Sequence, residues 1–135
     1  MFLSAKQYNQ QIAQSETVEQ IAVAELLDRI KYNGRPLRYA AIPNGGKRDK
    51  RAAAILQKMG VKPGVSDLLI FDSPPNYPLM KGAALEMKRR VGGKIEREQQ
   101  DWLNYFEDNS WVTGVAYGQD EALELLRDWG YIQDK

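Results

Sequence analysis

Ile12, Val18, Ile21, Ala22, Leu26 and Ile30 recur at helical spacing with polar residues between them, which predicts an amphipathic helix from about Gln7 to Ile30. Asn33-Gly34-Arg35-Pro36 ends that helix, Leu37 to Pro43 reads as a short strand, and Asn44-Gly45-Gly46 as a turn. Ala52, Ala53, Ile55, Leu56 and Met59 supply the apolar face of a second helix over Asp49 to Met59, with Gly60 as its stop. Asp67 to Phe71 is a nearly continuous apolar run and predicts a buried strand; the proline-rich segment Asp72 to Pro78 predicts an irregular connection. A further strand follows over Ala83 to Lys88. Glu96 to Glu107 then predicts a helix with Trp102, Leu103 and Phe106 on its apolar side, Trp111 to Tyr117 a strand, and Asp120 to Trp129 a last amphipathic helix. The order is helix, strand, helix, strand, strand, helix, strand, helix. The simplest architecture is one α/β sandwich domain over residues 1–135, with a mixed sheet of about four strands flanked by helices.

Composition narrows the chemistry. The chain has 135 residues, 43% of them hydrophobic, which is enough for one sizeable core. No apolar run approaches the roughly 20 residues that span a bilayer, and the apolar start is too short for a signal peptide, so the expected place is the cytoplasm. Without cysteine there is no disulfide framework, thiolate zinc site or cysteine nucleophile. Without histidine, the usual base of nucleophilic triads and the commonest transition-metal ligand are also missing. Carboxylate and lysine chemistry remains, built most naturally around a hard cation such as Mg²⁺.

The net charge of +1 hides an uneven distribution. Lys47, Arg48, Lys50 and Arg51 form one basic cluster and Lys88, Arg89, Arg90 and Lys94 another, whereas Asp120, Glu121, Glu124, Asp128 and Asp134 dominate the end. Charge alone leaves two readings open: a basic working face with an acidic back, or ordinary solvated surface.

Glu86 and Lys88 lie two apart in a predicted strand, so both project from one face while Leu85 and Met87 take the other. Asp67 opens the preceding strand, and if the strands are neighbours its carboxylate approaches that of Glu86. Two converging carboxylates repel unless a cation lies between them. That arrangement suits phosphodiester hydrolysis, in which a metal polarises the phosphoryl group and acidifies water while an ammonium orients the water or offsets developing charge. An Asp followed by Glu-x-Lys is nonetheless a weak signal alone, since a surface ion pair between Glu86 and Lys88 has the same spacing.

Four segments strengthen it: Ile42-Pro43-Asn44-Gly45-Gly46-Lys47-Arg48, Gly60-Val61-Lys62-Pro63-Gly64-Val65-Ser66-Asp67-Leu68, Leu85-Glu86-Met87-Lys88 and Glu98-Gln99-Gln100-Asp101-Trp102-Leu103. In order and distance they resemble the VRR-NUC family of PD-(D/E)xK nucleases, a resemblance covering about residues 16 to 130. It implies a PD-(D/E)xK nuclease-like sandwich, with Asp67, Glu86 and the carbonyl of Met87 as ligands of Mg²⁺ or Mn²⁺, Lys88 as the catalytic lysine and Gln99 as the glutamine near the site. It also implies an acid from the first helix joining the centre, usually through water; Glu19 is the choice and Glu16 the competitor. Ser66 stands where the family pattern often has proline, a change that bears on the turn rather than on the ligands.

The resemblance further implies a metal-dependent endodeoxyribonuclease. Small stand-alone members are mostly encoded by phages or their hosts and resemble Holliday-junction resolvases acting on branched DNA as symmetric dimers, which for a phage protein means the bacterial host cytoplasm. The alternatives are a nuclease of flaps or other branched or nicked DNA, and a catalytically silent DNA-binding subunit. Asn44, Lys47, Arg48, Lys50 and Arg51, with Arg89, Arg90 and Lys94 beside Lys88, are the candidate phosphate contacts. Trp102, Trp111 and Trp129 belong to the core or to a subunit interface.

Overall fold

A computed structural model describes residues 4–43 and 50–133, with the side chains of residues 8–16 outside the description. Helix α1 (Ala5–Arg29) starts at Ser4, whose hydroxyl accepts from the Gln7 amide while the Gln7 side chain returns a bond to Ser4. Its buried stripe differs from the expected one. Val23 and Leu27 are buried, whereas Val18 and Ile21 are 62% and 51% exposed. Apolar periodicity sets the helix but not its phase, because Glu19 occupies the inward stripe one turn before Val23.

The stop after α1 is itself structured. Lys31–Tyr32 (β1) pairs with Arg35–Pro36 (β2) across Asn33 and Gly34, both at positive φ. That is the two-residue Asn-Gly hairpin turn, where the local pattern predicts only the end of the helix. Leu37 then enters the core ahead of the strand, which narrows to β3 (Tyr39–Ala41).

Helix α2 (Lys50–Lys58) carries the expected apolar side, yet none of its residues is buried and Ile55 and Met59 are exposed. Strands β4 (Leu68–Ile70) and β5 (Ala83–Lys88), helix α3 (Arg97–Asp108), strand β6 (Val112–Tyr117) and helix α4 (Gln119–Trp129) complete the order. The second sheet runs β3-β4-β5-β6, with β3/β4 and β4/β5 antiparallel and β5/β6 parallel, the parallel pair being joined through α3. The expected mixed four-stranded α/β sandwich is the observed fold.

Alternation along the strands divides the molecule. Leu68, Ile70, Ala83, Leu85, Met87 and Ala116 pack with Val23 and Leu27 of α1 and Ala122, Leu126 and Trp129 of α4. Leu69 and Ala84 point the other way, toward Phe106 and Trp102 of α3 and Trp111. Trp129 is therefore core, while Trp102 and Trp111 are partly buried around the smaller cluster. No helix among the described residues is long and apolar enough to cross a membrane.

Candidate active site

In the β4/β5 register Leu68 faces Leu85 and Leu69 faces Ala84, so one further step places Asp67 opposite Glu86. Both belong to the alternation that faces α3, with Leu69 and Ala84. Glu86 is 1% exposed and Asp67 9%. Asp67 Oδ2 accepts the Met87 amide at 2.7 Å, which ties the carboxylate to the strand carrying Glu86 and Lys88. Since N–H and C=O of a residue in an extended strand point to the same side, the Met87 carbonyl opens toward the side that holds Asp67.

The Glu86 carboxyl is pushed up to about 8, first by burial and then by the negative charge of Asp67, with Lys88 opposing the shift. Its Oε1 accepts from Gln99 Nε2 at 3.2 Å and lies 3.9 Å from Lys88 Nζ. Its Oε2 is buried with no hydrogen-bond partner among the described residues. A buried carboxylate oxygen without a donor, facing a second carboxylate, calls for a proton or a cation. No set of three Asp or Glu side chains among the described residues is disposed to hold a metal. Two carboxylates and a backbone carbonyl nevertheless fit Mg²⁺ or Mn²⁺, because Mg²⁺ is commonly held by one or two carboxylates and keeps several waters.

Gln99 makes the bonds that orient the rest. Its Oε1 accepts from Lys88 Nζ at 2.6 Å and from the Glu96 amide at 2.8 Å, while its Nε2 serves Glu86. The partners dictate the amide's orientation: two donors require the oxygen on one side, a carboxylate the nitrogen on the other. Gln99 therefore links the start of α3 to both charged residues of β5. Gly64, at φ +89°, lets the loop before Asp67 reach the same helix end, since a Cβ there would stand 2.6 Å from the Glu98 backbone.

The remaining candidates distribute unevenly. Glu19 is buried on α1, on the opposite side of the sheet from α3, and its carboxylate is engaged by Arg90 and by the Gln119 amide at 3.4 Å. Glu16 lies outside the described side chains. Arg90 is thus paired with an acid, and Arg89 donates to the Gly92 carbonyl at 3.3 Å within its own loop. Lys94, Lys50 and Arg51 are exposed. Asn44, Lys47 and Arg48 lie outside the described residues. The Arg90–Glu19 pair joins a residue expected at DNA to one expected near the metal, and no spacing rule in the sequence signals such a contact across 71 positions.

No family model matches the chain. It is 31% identical over 105 residues to the sulfate/thiosulfate import ATP-binding protein CysA 1 of Agrobacterium fabrum and 32% identical over 104 residues to the CysA protein of Mesorhizobium japonicum. Each match takes 76% of this chain but only 25% of the relative, so the chain spans about a quarter of the curated relatives it matches. The phosphate-cradling pattern G-x-x-x-x-G-K-[ST] does not occur here: both Gly-Lys pairs, Gly46-Lys47 and Gly93-Lys94, lack the following Ser or Thr. Among solved structures, a VRR_NUC domain protein superposes with a TM-score of 0.71 at 24% identity, covering 89% of this chain and 91% of the other. The fold is thus that of a VRR_NUC domain, consistent with a PD-(D/E)xK-like sandwich.

Proposed function

We propose that the chain is an Mg²⁺- or Mn²⁺-dependent endodeoxyribonuclease of the VRR-NUC kind that hydrolyses phosphodiester bonds in branched DNA, acting as a homodimeric Holliday-junction resolvase. The observation that carries the reading is the Asp67–Glu86 pair, with an unpartnered buried oxygen on Glu86 and the Lys88–Gln99 bond beside it. Asp67, Glu86 and the Met87 carbonyl would hold the ion, which supplies Lewis-acid polarisation of the phosphoryl oxygen and a water of lowered pKa. Lys88, drawn into place by Gln99, presents its ammonium where charge develops on the phosphoryl oxygens. Glu19, the acid that the resemblance adds from the first helix, lies on α1 on the other side of the sheet and is engaged by Arg90.

Lys50, Arg51, Arg89 and Lys94, with Asn44, Lys47 and Arg48, supply the phosphate-binding surface. Exposed apolar side chains on α1 (Val18, Ile21) and on α2 (Ile55) and just beyond it (Met59) support self-association, and two-fold symmetry provides the two active sites that matched cuts across a four-way junction require.

Cleavage of a synthetic four-way junction, beside duplex, flap and single-stranded controls, in Mg²⁺, Mn²⁺ or EDTA tests the proposal. Paired symmetric nicks confined to the junction and to the metal lanes are expected. Metal-dependent cutting of other forms keeps the nuclease and removes the resolvase. Tight junction binding with no cutting of any substrate favours a silent DNA-binding subunit.

A further inference from the structure

The loop between β5 and α3 is braced by its own charged side chains. Arg89 donates to the Gly92 carbonyl at 3.3 Å, which closes a turn in which Gly92 takes a φ of +78°. Gly93 folds back on the strand end: a Cβ there would stand 2.8 Å from the Arg89 carbonyl oxygen and 3.1 Å from Lys88 Cβ. Arg90 lies against Gly118, where a Cβ would stand 2.8 Å from both its Cγ and its Nε. Its Nε donates to Glu19 Oε1 on α1 and its Nη1 to Asp120 Oδ2 at 3.5 Å on α4. Gly118 in turn donates to the Lys88 carbonyl at 3.2 Å. Both arginines thus tie the loop to the protein, and the side chain held out at its tip is Val91, 74% exposed.

We infer that Val91 is an apolar wedge that enters DNA where base stacking is interrupted, and that it favours branched DNA over continuous duplex. The inference rests on the nuclease reading above. Val91 lies three positions beyond Lys88, between the half-buried Arg89 and the exposed Lys94. Cations on either side of one apolar side chain suit the phosphates that flank a base step, and a single valine is far smaller than the apolar patch of a protein interface. Within continuous duplex an inserted side chain must first unstack the bases. At a branch point the stack is already broken, so the valine leaves water without that cost. The bracing of the loop adds to the effect, because a wedge already held in place loses little conformational freedom on insertion.

The test uses the full chain in EDTA and a four-way junction with 2-aminopurine, a base that fluoresces when unstacked, beside the branch point. Saturating wild-type protein should raise the fluorescence, and Val91→Ser at saturation should not. The ratio of junction to duplex affinity should fall about three- to tenfold in Val91→Ser, the effect of one valine-sized apolar contact. Val91→Leu keeps an apolar side chain at the tip and should retain both the fluorescence rise and the ratio. Leu79→Ser changes an apolar residue that is 92% exposed in the β4–β5 connection and should alter neither. Sedimentation should show the same oligomeric state for wild type and Val91→Ser. A fluorescence rise retained in Val91→Ser, an equal loss in Leu79→Ser, or a changed oligomeric state would overturn the wedge and leave the nuclease intact. Wild-type protein that binds neither junction nor duplex would overturn both.

Discussion

Asp72 and Glu86 are both buried carboxylates held by the same sheet, and their surroundings are opposite. Asp72 accepts two bonds from the Arg35 guanidinium, at 2.6 and 3.0 Å, and a third from the Arg38 amide. The Arg35 bonds hold its carboxyl below the usual range, against the effect of burial. The neighbouring backbone is tied as well, since Tyr131 donates to the Asp72 carbonyl and Tyr32 to that of Ser73. Glu86 has an unpartnered oxygen, a second acid opposite and a raised pKa. A carboxylate whose acceptors are filled by fixed donors stabilises a fold; one left short of donors stores affinity for a cation. The contrast separates a structural node from a candidate active centre without reference to any relative.

The sharpest way to break the contrast is substitution at the two sites. Glu86→Gln, Asp67→Ala and Lys88→Ala should each reduce metal-dependent cleavage by at least about 100-fold while junction binding remains. Cleavage retained in any of them removes the mechanism. Arg35→Ala should do the reverse: the melting temperature falls by several degrees because Asp72 loses its main donors, while cleavage per folded molecule is unchanged. Lost cleavage with an unchanged melting temperature would show that the node is not structural.

Acid–base behaviour should also run in opposite directions. Glu86 holds its proton in the folded, metal-free protein up to about pH 8 and releases it in the unfolded chain near the ordinary carboxylate value. Its contribution to stability is therefore complete at low pH and is lost as pH rises through that window, on the order of a few kcal/mol in EDTA. Asp72, with a lowered pKa, contributes above the ordinary value and loses that contribution as pH falls through its folded pKa. Melting curves in EDTA across pH 5–8 should show a decline that Glu86→Gln flattens; an equal slope in that variant would place the proton elsewhere. Metal should restore stability most at the alkaline end.

A smaller effect is expected at the bridging amide. Gln99→Ala frees Lys88 and Glu86 from α3 and should slow cleavage about 10- to 100-fold, chiefly in kcat, as loss of an orienting partner does. An equal loss confined to KM would assign Gln99 to substrate binding instead of positioning.

Much of this was legible in the chain. Ala83 to Lys88 was readable to the residue, because a strand with Glu and Lys two apart inside an apolar run has one self-consistent alternation. Glu96 to Glu107 and Asp120 to Trp129 shifted by only a residue at their ends, since strong amphipathic periods and caps determine a helix locally. The resemblance named Asp67, Glu86, Lys88 and Gln99, and the fold brings those four within one cluster. What local pattern could not supply was partnership across the sheet. The phase of α1 depends on which side faces β5 and α4, the exposure of α2 on what the other described elements pack against, and the Arg90–Glu19 contact on how α1 lies against β5 and α4. Periodicity and motif are short-range properties of the chain and survive in the sequence; the pairing of charges distant in sequence is set by packing, and only the tertiary structure decided it.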